Sequence, residues 1–262
     1  MTMLPEAILL DLDGTFFDTE ELHRRAFNQT FMEFGLGWDW DADTYERLLG
    51  ISGGEDRILH FIDTLSVTDD RRVHLRSLAP LVHRAKRRLF ADMLDDAGLQ
   101  PLPGVRRLIG DARENGCKVG VAATSVSPNI QWIMKTALGE NARSPIDAVA
   151  SAMHVLRRKP APDLYIMLLA MLGLPADRCV AIEDSANGVA AAKAAGLFTI
   201  AVPGRWTRSQ DFSRADLVIS TLGDPETPLS GGEVAELEGA PYLAVRDISR
   251  LMQPWTATGR VS

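Results

Sequence analysis

The chain has 262 residues, and 46% of them are hydrophobic, which is enough for one large core or for a core domain with a smaller insert. Its formal net charge is −7, and it has no concentrated basic arm. This argues against nucleic acid as a partner, because phosphates attract a positive surface. No stretch approaches the roughly 20 apolar residues of a membrane span, and the N-terminus does not resemble a signal peptide, so we expect a cytoplasmic protein with no membrane partner.

Five short apolar runs predict buried strands. They cover 7–13, 118–123, 179–182, 198–202 and 217–220. Each run is continuously apolar rather than alternating, which is typical of parallel strands covered on both faces. Helical patterns occupy 105–115, 129–138, 164–172 and 188–195. The alternation of strands and helices predicts an α/β fold with a doubly wound, Rossmann-like parallel sheet.

The segment 18–94 breaks this alternation. It has no convincing strand, and Phe27, Phe31 and Phe34 recur at helical spacing, as on one packed face of a helix. We therefore expect an inserted α-helical cap domain over 18–94. The residues 1–17 and 95–262 would form the discontinuous α/β core domain, and the Gly- and Pro-rich segment 98–103 would be a hinge.

The C-terminal part of the chain has a different composition. Residues 223–241 are rich in Pro, Gly, Ser, Thr and Glu, which is typical of a long surface loop. We expect a last strand over 241–245 and a last helix over 247–252.

The two cysteines, Cys117 and Cys179, lie beside apolar runs. The chain has no CxxC pair and no Cys/His spacing typical of zinc. We therefore expect two buried, reduced thiols rather than a disulfide.

An Asp-Leu-Asp-Gly-Thr segment, 11–15, ends the first apolar run. Ligands of open α/β sheets bind outside the carboxyl ends of the strands. Because side chains two positions apart leave a strand on the same face, Asp11 and Asp13 can act together: one attacks phosphorus while the other transfers a proton. An Asp-Gly pair is also common in ordinary turns, so this motif alone leaves both interpretations open.

Three further polar segments follow in order. Thr124 and Ser125 end the second apolar run, Lys159 opens a Lys-Pro-Ala-Pro-Asp segment, and Glu183 and Asp184 end the third run. Each has an ordinary alternative, since hydroxyls and carboxylates often cap helices and a loop lysine is usually solvated. Acidic side chains facing the first motif would form an oxygen-rich site that suits Mg²⁺.

In this order, the four motifs resemble those of the haloacid dehalogenase superfamily. The resemblance implies a Mg²⁺-dependent phosphatase in which Asp11 is the nucleophile and forms an aspartyl-phosphate. Asp13 would protonate the leaving oxygen and then deprotonate water, and Thr15 would orient Asp13. The metal ligands that the resemblance implies are Asp11, the backbone carbonyl of Asp13 and Asp184, with Glu183 close by.

The same resemblance assigns the groups that bind phosphate. Lys159 would neutralise the phosphoryl oxygens and the Asp11 carboxylate, and a hydroxyl of the segment 124–126 would help to stabilise the charge on the equatorial oxygens. Alignment with sugar-phosphate members of the superfamily favours Ser125 as that hydroxyl. Thr124 is the alternative, and Val126 belongs to the same phosphate-binding segment.

The start of the insert, 20–28, and the segment 83–86 resemble the CbbY branch, whose members are phosphatases acting on xylulose 1,5-bisphosphate. The resemblance implies a phosphorylated sugar as the substrate, and we expect the enzyme to be a monomer. A bisphosphate needs a second cationic contact away from Asp11, and Lys86 with Arg57 would supply it. The other substrate-binding residues expected from the resemblance are Glu20 and His23 over the reacting centre, Gly54 and Asn129.

Two features depart from that branch. Gly53 and Gly54 are followed by Glu55, where related phosphatases often have a lysine, and Phe16 and Phe17 follow the first motif in place of a leucine and a small residue. The identity of the sugar phosphate therefore stays open.

Two other functions share these motifs. A β-phosphoglucomutase-like enzyme would return the phosphoryl group to a sugar, but it uses an arginine after Gly-Ile-Ser or Gly-Val-Ser, and this chain has Gly53 there. A catalytically silent sugar-phosphate-binding protein is the second alternative. The four intact motifs argue against it.

Overall fold

A computed structural model of the protein describes residues 4–124, 127–139, 145–151 and 153–257. The chain divides into two compact units. Met1–Asp18 with Gln100–Ser262 forms the α/β unit, and Thr19–Leu99 forms the helical unit. The boundaries predicted from the sequence lie at 17/18 and 94/95.

The α/β unit contains a six-stranded sheet within the described ranges. Its strands are β1 (Ala7–Asp11), β2 (Lys118–Ala123), β3 (Ala148–Ser151), β4 (Cys179–Glu183), β5 (Phe198–Ala201) and β6 (Leu217–Val218). They pair in the order β3-β2-β1-β4-β5-β6, and every neighbouring pair is parallel. The winding reverses at β1, which confirms the predicted doubly wound α/β fold and leaves a crevice at the carboxyl end of β1.

Helices precede and follow these strands. In chain order they are α1 (Glu20–Glu33), α2 (Ala42–Leu48), α3 (Gly54–Thr64), α4 (Asp69–Asp96), α5 (Val105–Glu114), α6 (Ser127–Leu138), α7 (Asp163–Leu172), α8 (Ala186–Ala194), α9 (Gly231–Glu236) and α10 (Val245–Ala257). No helix in the described part of the chain is long and apolar enough to cross a membrane.

The centre of the sheet is closely packed. All five residues of β1 are buried, as expected for a strand covered on both faces. Leu9 lies opposite Gly120 of β2, and a Cβ atom on Gly120 would lie 3.0 Å from the side chains of Leu9 and Leu168. The glycine therefore lets α7 approach the sheet closely at this level, which also fixes the distance from α7 to the carboxyl end of β1.

The sequence analysis missed β3. Its four residues, Ala-Val-Ala-Ser, contain one β-branched side chain, so local composition gives little strand signal. The strand is defined instead by its parallel pairing with β2, where Val121 lies opposite Val149. Sheet pairing of this kind is a tertiary property that a short run of small residues does not encode locally.

The predicted strand over 241–245 is wrong, and the predicted loop 223–241 contains α9. Ser230 and Glu233 form a capping box that starts this helix, and such a box satisfies two backbone donors. At 241–245 the backbone bonds to loop residues instead: the N–H of Leu243 donates to the carbonyl of Leu222, and the carbonyl of Pro241 accepts from the N–H of Leu229. α10 begins at Val245 and includes the predicted last helix.

The helical unit has an aromatic core. Phe27 and Phe31 of α1 are buried and pack against Trp40, with ring centroids 4.7 and 4.8 Å apart. Phe34 does not belong to this face: α1 ends at Glu33, and Phe34 is 37% exposed. Of the three residues predicted on one packed face, only the first two therefore lie there.

Both cysteines are free and buried, as predicted. Burial raises the pKa of each thiol to about 12, so neither Cys117 nor Cys179 is a reactive thiolate near neutral pH.

Candidate active site

The candidate site lies at the carboxyl end of β1 in the α/β unit. Asp11 is the last residue of β1 and lies opposite Ala122 of β2. On the other side, Leu10 is opposite Ile182 of β4, so Glu183 and Asp184 follow at the level of Asp11. The sheet register thus brings the first and fourth motifs together, and the buried ligand atoms of these three carboxylates lie within 4.8 Å of one another.

The turn after β1 depends on Gly14. Its φ is +89°, and a Cβ atom there would lie 2.2 Å from Oδ2 of Asp184. Any other residue would be strained at this φ and would displace the Asp184 carboxylate. The glycine of the first motif is therefore what lets Asp184 approach the turn.

Lys159 reaches the site from the loop before α7. It is 4% exposed, its Nζ donates a short hydrogen bond to Oδ1 of Asp11, and it donates to the carbonyl of Ala122 at 3.2 Å. The same Nζ lies 2.6 Å from Oε1 of Glu183. One ammonium group therefore binds two buried carboxylates, as expected where buried charges are paired.

The electrostatics follow from burial. Desolvation raises the pKa of the Asp11 carboxyl to about 8, although the positive charge of Lys159 acts to lower it. Desolvation also acts to lower the pKa of Lys159, but the attraction of Asp11 and Glu183 outweighs it and raises that pKa. Lys159 is therefore charged at neutral pH, and a further positive charge beside Asp11 would lower the pKa of that carboxyl.

The arrangement fits a divalent cation. Asp11, Glu183 and Asp184 supply carboxylate oxygens, the donors that Mg²⁺ prefers. Oε2 of Glu183 is buried and has no hydrogen-bond partner among the described residues, which is costly unless a cation or water compensates. The single ammonium group of Lys159 does not neutralise all three carboxylates, and a bound divalent cation would compensate the remaining negative charge.

Tyr165 is a site residue that the sequence analysis missed. It lies in α7, is fully buried, and its hydroxyl donates to Oε1 of Glu183 at 2.5 Å. Burial and the neighbouring Glu183 raise the pKa of Tyr165 well above its usual value, so the hydroxyl keeps its proton. Its only sequence signal is its place two residues after Asp163, the last residue of the lysine motif.

The other predicted residues of the α/β unit have four different outcomes. Asp13 follows β1 and is close enough for its charge to raise the pKa of Asp11. Thr15 is buried, and its hydroxyl has no hydrogen-bond partner among the described residues, so its role in orienting Asp13 stays a prediction. Thr124 follows β2 and is exposed. Ser125, Val126 and the side chain of Asn129 lie outside the described part of the chain.

In the helical unit, Glu20 and Arg57 meet at a tyrosine. The hydroxyl of Tyr45 donates to Oε2 of Glu20 at 2.6 Å and accepts from Nη1 of Arg57 at 3.2 Å. Arg57 also donates to the carbonyl of Ile51 at 3.3 Å. Tyr45 is fully buried, so the two predicted side chains are connected through a fixed hydroxyl.

A second cluster of the helical unit contains His23 and Lys86. Lys86 is 5% exposed, and its Nζ lies 2.5 Å from Nδ1 of His23. The Nζ also lies over the rings of Phe27 and Phe90, 4.5 and 4.8 Å from their centroids. His23 stacks on Phe90 with ring centroids 3.7 Å apart. We call these four residues the aromatic lysine cluster.

The predicted Gly54 begins α3 beside this cluster. A Cβ atom on Gly54 would lie 2.7 Å from Nε2 of His83 and 3.2 Å from the ring of Phe27. The position therefore has no room for a larger side chain, which gives the glycine a packing role within the helical unit.

Comparison with known proteins agrees with this site. The haloacid dehalogenase-like hydrolase family matches residues 5–196. The protein CbbY of Cereibacter sphaeroides is 40% identical over 223 residues, which are 84% of this chain and 93% of that protein. The plasmid-borne CbbY of Cupriavidus necator is 39% identical over 224 residues, which are 86% of this chain and 88% of that protein.

Solved structures give the same result. CbbY from Rhodobacter sphaeroides in complex with phosphate is 38% identical, with a TM-score of 0.74 over 84% of this chain and 95% of that chain. A mutant of that CbbY in complex with xylulose-(1,5)bisphosphate aligns equally well. With the first, third and fourth motifs brought together at the carboxyl end of β1 and a family match over residues 5–196, this chain belongs to the haloacid dehalogenase-like hydrolases, in their CbbY-like branch.

Proposed function

We propose that the protein is a Mg²⁺-dependent phosphatase that hydrolyses a phosphorylated sugar, in particular a sugar bisphosphate such as xylulose 1,5-bisphosphate. The observation that carries this proposal is the position of Asp11, a buried carboxylate that contacts the ammonium group of Lys159 and lies within 4.8 Å of the carboxylates of Glu183 and Asp184. The bisphosphate is supported by the relative solved with that sugar.

The reaction has two displacements at phosphorus. An oxygen of Asp11 attacks in line, and the bond from phosphorus to the sugar oxygen breaks while Asp13 transfers a proton to that oxygen. Asp13 then takes a proton from water as the water oxygen attacks the aspartyl-phosphate. The bond from phosphorus to Asp11 breaks, and inorganic phosphate and the free carboxylate result.

Charge stabilisation comes from fixed groups. Lys159 is already held at Asp11 by three contacts, so its positive charge needs little rearrangement to face the phosphoryl oxygens, which is the main advantage of a preorganised site. A bound Mg²⁺, held by Asp11, the Asp13 carbonyl and Asp184 with Glu183, would supply Lewis-acid stabilisation of the same oxygens. Ser125 or Thr124 would add a neutral donor.

A phosphate-release screen with Mg²⁺ over sugar monophosphates, sugar bisphosphates and an aryl phosphate tests the proposal. We expect turnover of at least one sugar phosphate, with a bisphosphate preferred. Asp11→Asn should abolish turnover, because an amide cannot serve as the nucleophile. The thermal unfolding of this variant should be close to that of the wild type, because the fold is expected to be kept. The substitution is nearly isosteric, so loss of folding would not be expected.

Three results would contradict parts of the proposal. Measurable activity of Asp11→Asn would exclude the covalent mechanism. Appearance of a phosphorylated isomer rather than free phosphate would identify a mutase. Binding of sugar phosphates without any turnover would identify a silent binding protein. The predicted monomeric state and cytoplasmic location stay predictions, which light scattering and cell fractionation would test.

A further inference from the structure

Tyr165 contacts the carboxylate cluster through Glu183 without belonging to any of the four motifs. It is one of the largest fully buried side chains of the protein and packs in the core formed by α7, α8 and the sheet. A buried phenol satisfies its hydroxyl by finding one partner, and here the partner is Oε1 of Glu183. The hydroxyl therefore acts directly on a side chain of the site.

Glu183 receives both of its donors on one oxygen. Oε1 accepts from the hydroxyl of Tyr165 at 2.5 Å and lies 2.6 Å from Nζ of Lys159. Oε2 has no hydrogen-bond partner in the described ranges and lies against α8, where a Cβ atom on Gly188 would be 1.8 Å away. The orientation of the carboxylate is therefore set by two donors on one side and by a close backbone contact on the other.

The two donors act differently on Glu183. Lys159 also binds Asp11, so its ammonium group is shared between two carboxylates. The hydroxyl of Tyr165 is fixed by the packing of its ring. The centroid of that ring lies 5.4 Å from Nζ of Lys159. Without that hydroxyl, Oε1 would have Lys159 as its donor, and Glu183 would draw the ammonium group away from Asp11.

We propose that Tyr165 is a positioning residue that holds Glu183 at the divalent-cation site and keeps Lys159 available to Asp11. This inference rests on the proposed function, because it assumes that the carboxylate cluster binds a cation. Hydrogen bonds from outside the ligand set commonly orient the ligands themselves, and their loss weakens metal affinity or activity by about 10- to 100-fold.

Tyr165→Phe is the direct test, since it removes the hydroxyl and keeps the ring. Mn²⁺ serves as the probe, and its free concentration is measured by electron paramagnetic resonance without substrate. We expect the Kd for Mn²⁺ to rise by about tenfold. In turnover assays, kcat should fall at low Mg²⁺ and recover in part at high Mg²⁺, while KM for the phosphate ester stays the same.

Tyr45→Phe is a matched control. Tyr45 is equally buried and also donates to a carboxylate, but it lies in the helical unit, so its loss should leave the Kd for Mn²⁺ unchanged. A second control places Tyr165→Phe in a Glu183→Gln background. If Tyr165 acts through Glu183, the additional effect on Mn²⁺ binding should vanish there, because the double-mutant cycle isolates their coupling.

The outcomes separate the two levels of inference. If wild-type protein binds Mn²⁺ and Tyr165→Phe binds it equally well with only a lower Tm, Tyr165 is a packing residue and the positioning role is excluded. If the effects of Tyr165→Phe and Glu183→Gln add, Tyr165 does not act through Glu183, which also overturns the inference. If wild-type protein binds no Mn²⁺ at all, the cation of the proposed function is wrong, and this inference falls with it.

Discussion

Two lysines of the protein are buried to nearly the same degree but in opposite surroundings. Lys159 of the α/β unit is 4% exposed and contacts the carboxylates of Asp11 and Glu183. Lys86 of the helical unit is 5% exposed and contacts the imidazole of His23 and the faces of two phenylalanine rings. The comparison shows two ways in which one chain keeps an ammonium group out of water.

The contacts of the two lysines differ in strength. Hydrogen bonds between charged groups contribute roughly 1.5–3 kcal/mol each, and carboxylates fix the charge on Lys159 against the cost of burial. Ring faces contribute about 0.5–2 kcal/mol each. At Nδ1 of His23 an unprotonated imidazole nitrogen can accept from Lys86, whereas a protonated imidazole would repel it. The charge of Lys159 is therefore held by carboxylates in a site with surplus negative charge, whereas Lys86 contacts an imidazole and two ring faces.

This difference matches the two roles proposed for the lysines. A cation beside Asp11 has to act with acidic groups, because the same site is proposed to bind Mg²⁺ and a phosphoryl group together. A cation for a phosphate that does not react needs no acidic neighbour. Lys86, whose ammonium group lies over two ring faces, is the proposed cation of this second kind.

Removal of the divalent cation is expected to have the largest effect and to act on the carboxylate site alone. EDTA should abolish turnover, Mg²⁺ should restore it, and excess Ca²⁺ should suppress it, because Ca²⁺ accepts looser coordination that spoils the in-line geometry. Mg²⁺ should also raise the Tm of the wild-type protein, since it binds the folded state only. Asp184→Asn should reduce that rise in Tm, and full activity in EDTA would exclude the proposed site.

Lys159→Met should have the next largest effect. It leaves Asp11 and Glu183 buried without their shared cation, so we expect the free energy of unfolding to fall by about 3–5 kcal/mol and turnover to fall by roughly 10²- to 10³-fold. Chemical denaturation and phosphate release measure the two effects. Lys193→Met is the matched control, because Lys193 pairs with Asp216 near the surface and its loss should cost about 1 kcal/mol or less. Equal destabilisation by both variants would mean that burial adds nothing to the Lys159 contacts.

Much of the carboxylate site could be predicted from the sequence, because parallel strands place their carboxyl ends at one edge. Once Asp11 and Glu183 were assigned to strand ends, their proximity followed from the fold class, and the structure brings them together as the register of β1 and β4 requires. Lys159 was found through its Pro-x-Pro-Asp context. The proximity of Asp11 and Glu183 needed only strand patterns and one topological rule, whereas Lys159 was assigned through the resemblance of its segment to the haloacid dehalogenase superfamily.

The rest depended on tertiary packing. In the sequence, Tyr165 lies in a helix that is apolar after its first residue, Asp163, and only the close approach of α7 to the sheet puts its hydroxyl on Glu183. Lys86 lies between charged residues on α4, so its sequence neighbours suggest a solvated face. The aromatic core of the helical unit decides otherwise, since Phe27 and Phe90 enclose its ammonium group.

Lys86→Ala should have the smallest and most selective effect. With Arg57, Lys86 is proposed to bind the phosphate that is not cleaved, and a charge-assisted contact of this kind is worth roughly 1.5–3 kcal/mol. We therefore expect kcat/KM for a sugar bisphosphate to fall by about tenfold to a hundredfold. Hydrolysis of a small aryl phosphate should barely change, because that substrate has no second phosphate.

Two further variants separate the charge of Lys86 from its packing. Lys86→Met keeps an apolar stem between Phe27 and Phe90 but removes the ammonium group, so it should lose activity on the bisphosphate as Lys86→Ala does while losing less stability. Arg87→Ala removes a positive charge from the exposed face of the same helix. It should change the activity on neither substrate. Equal losses of Lys86→Ala on both substrates would mean that Lys86 supports the helical unit as a whole. No loss of activity on either substrate would mean that the aromatic lysine cluster supplies no cation for the second phosphate. The two buried lysines would then differ only in how they affect stability.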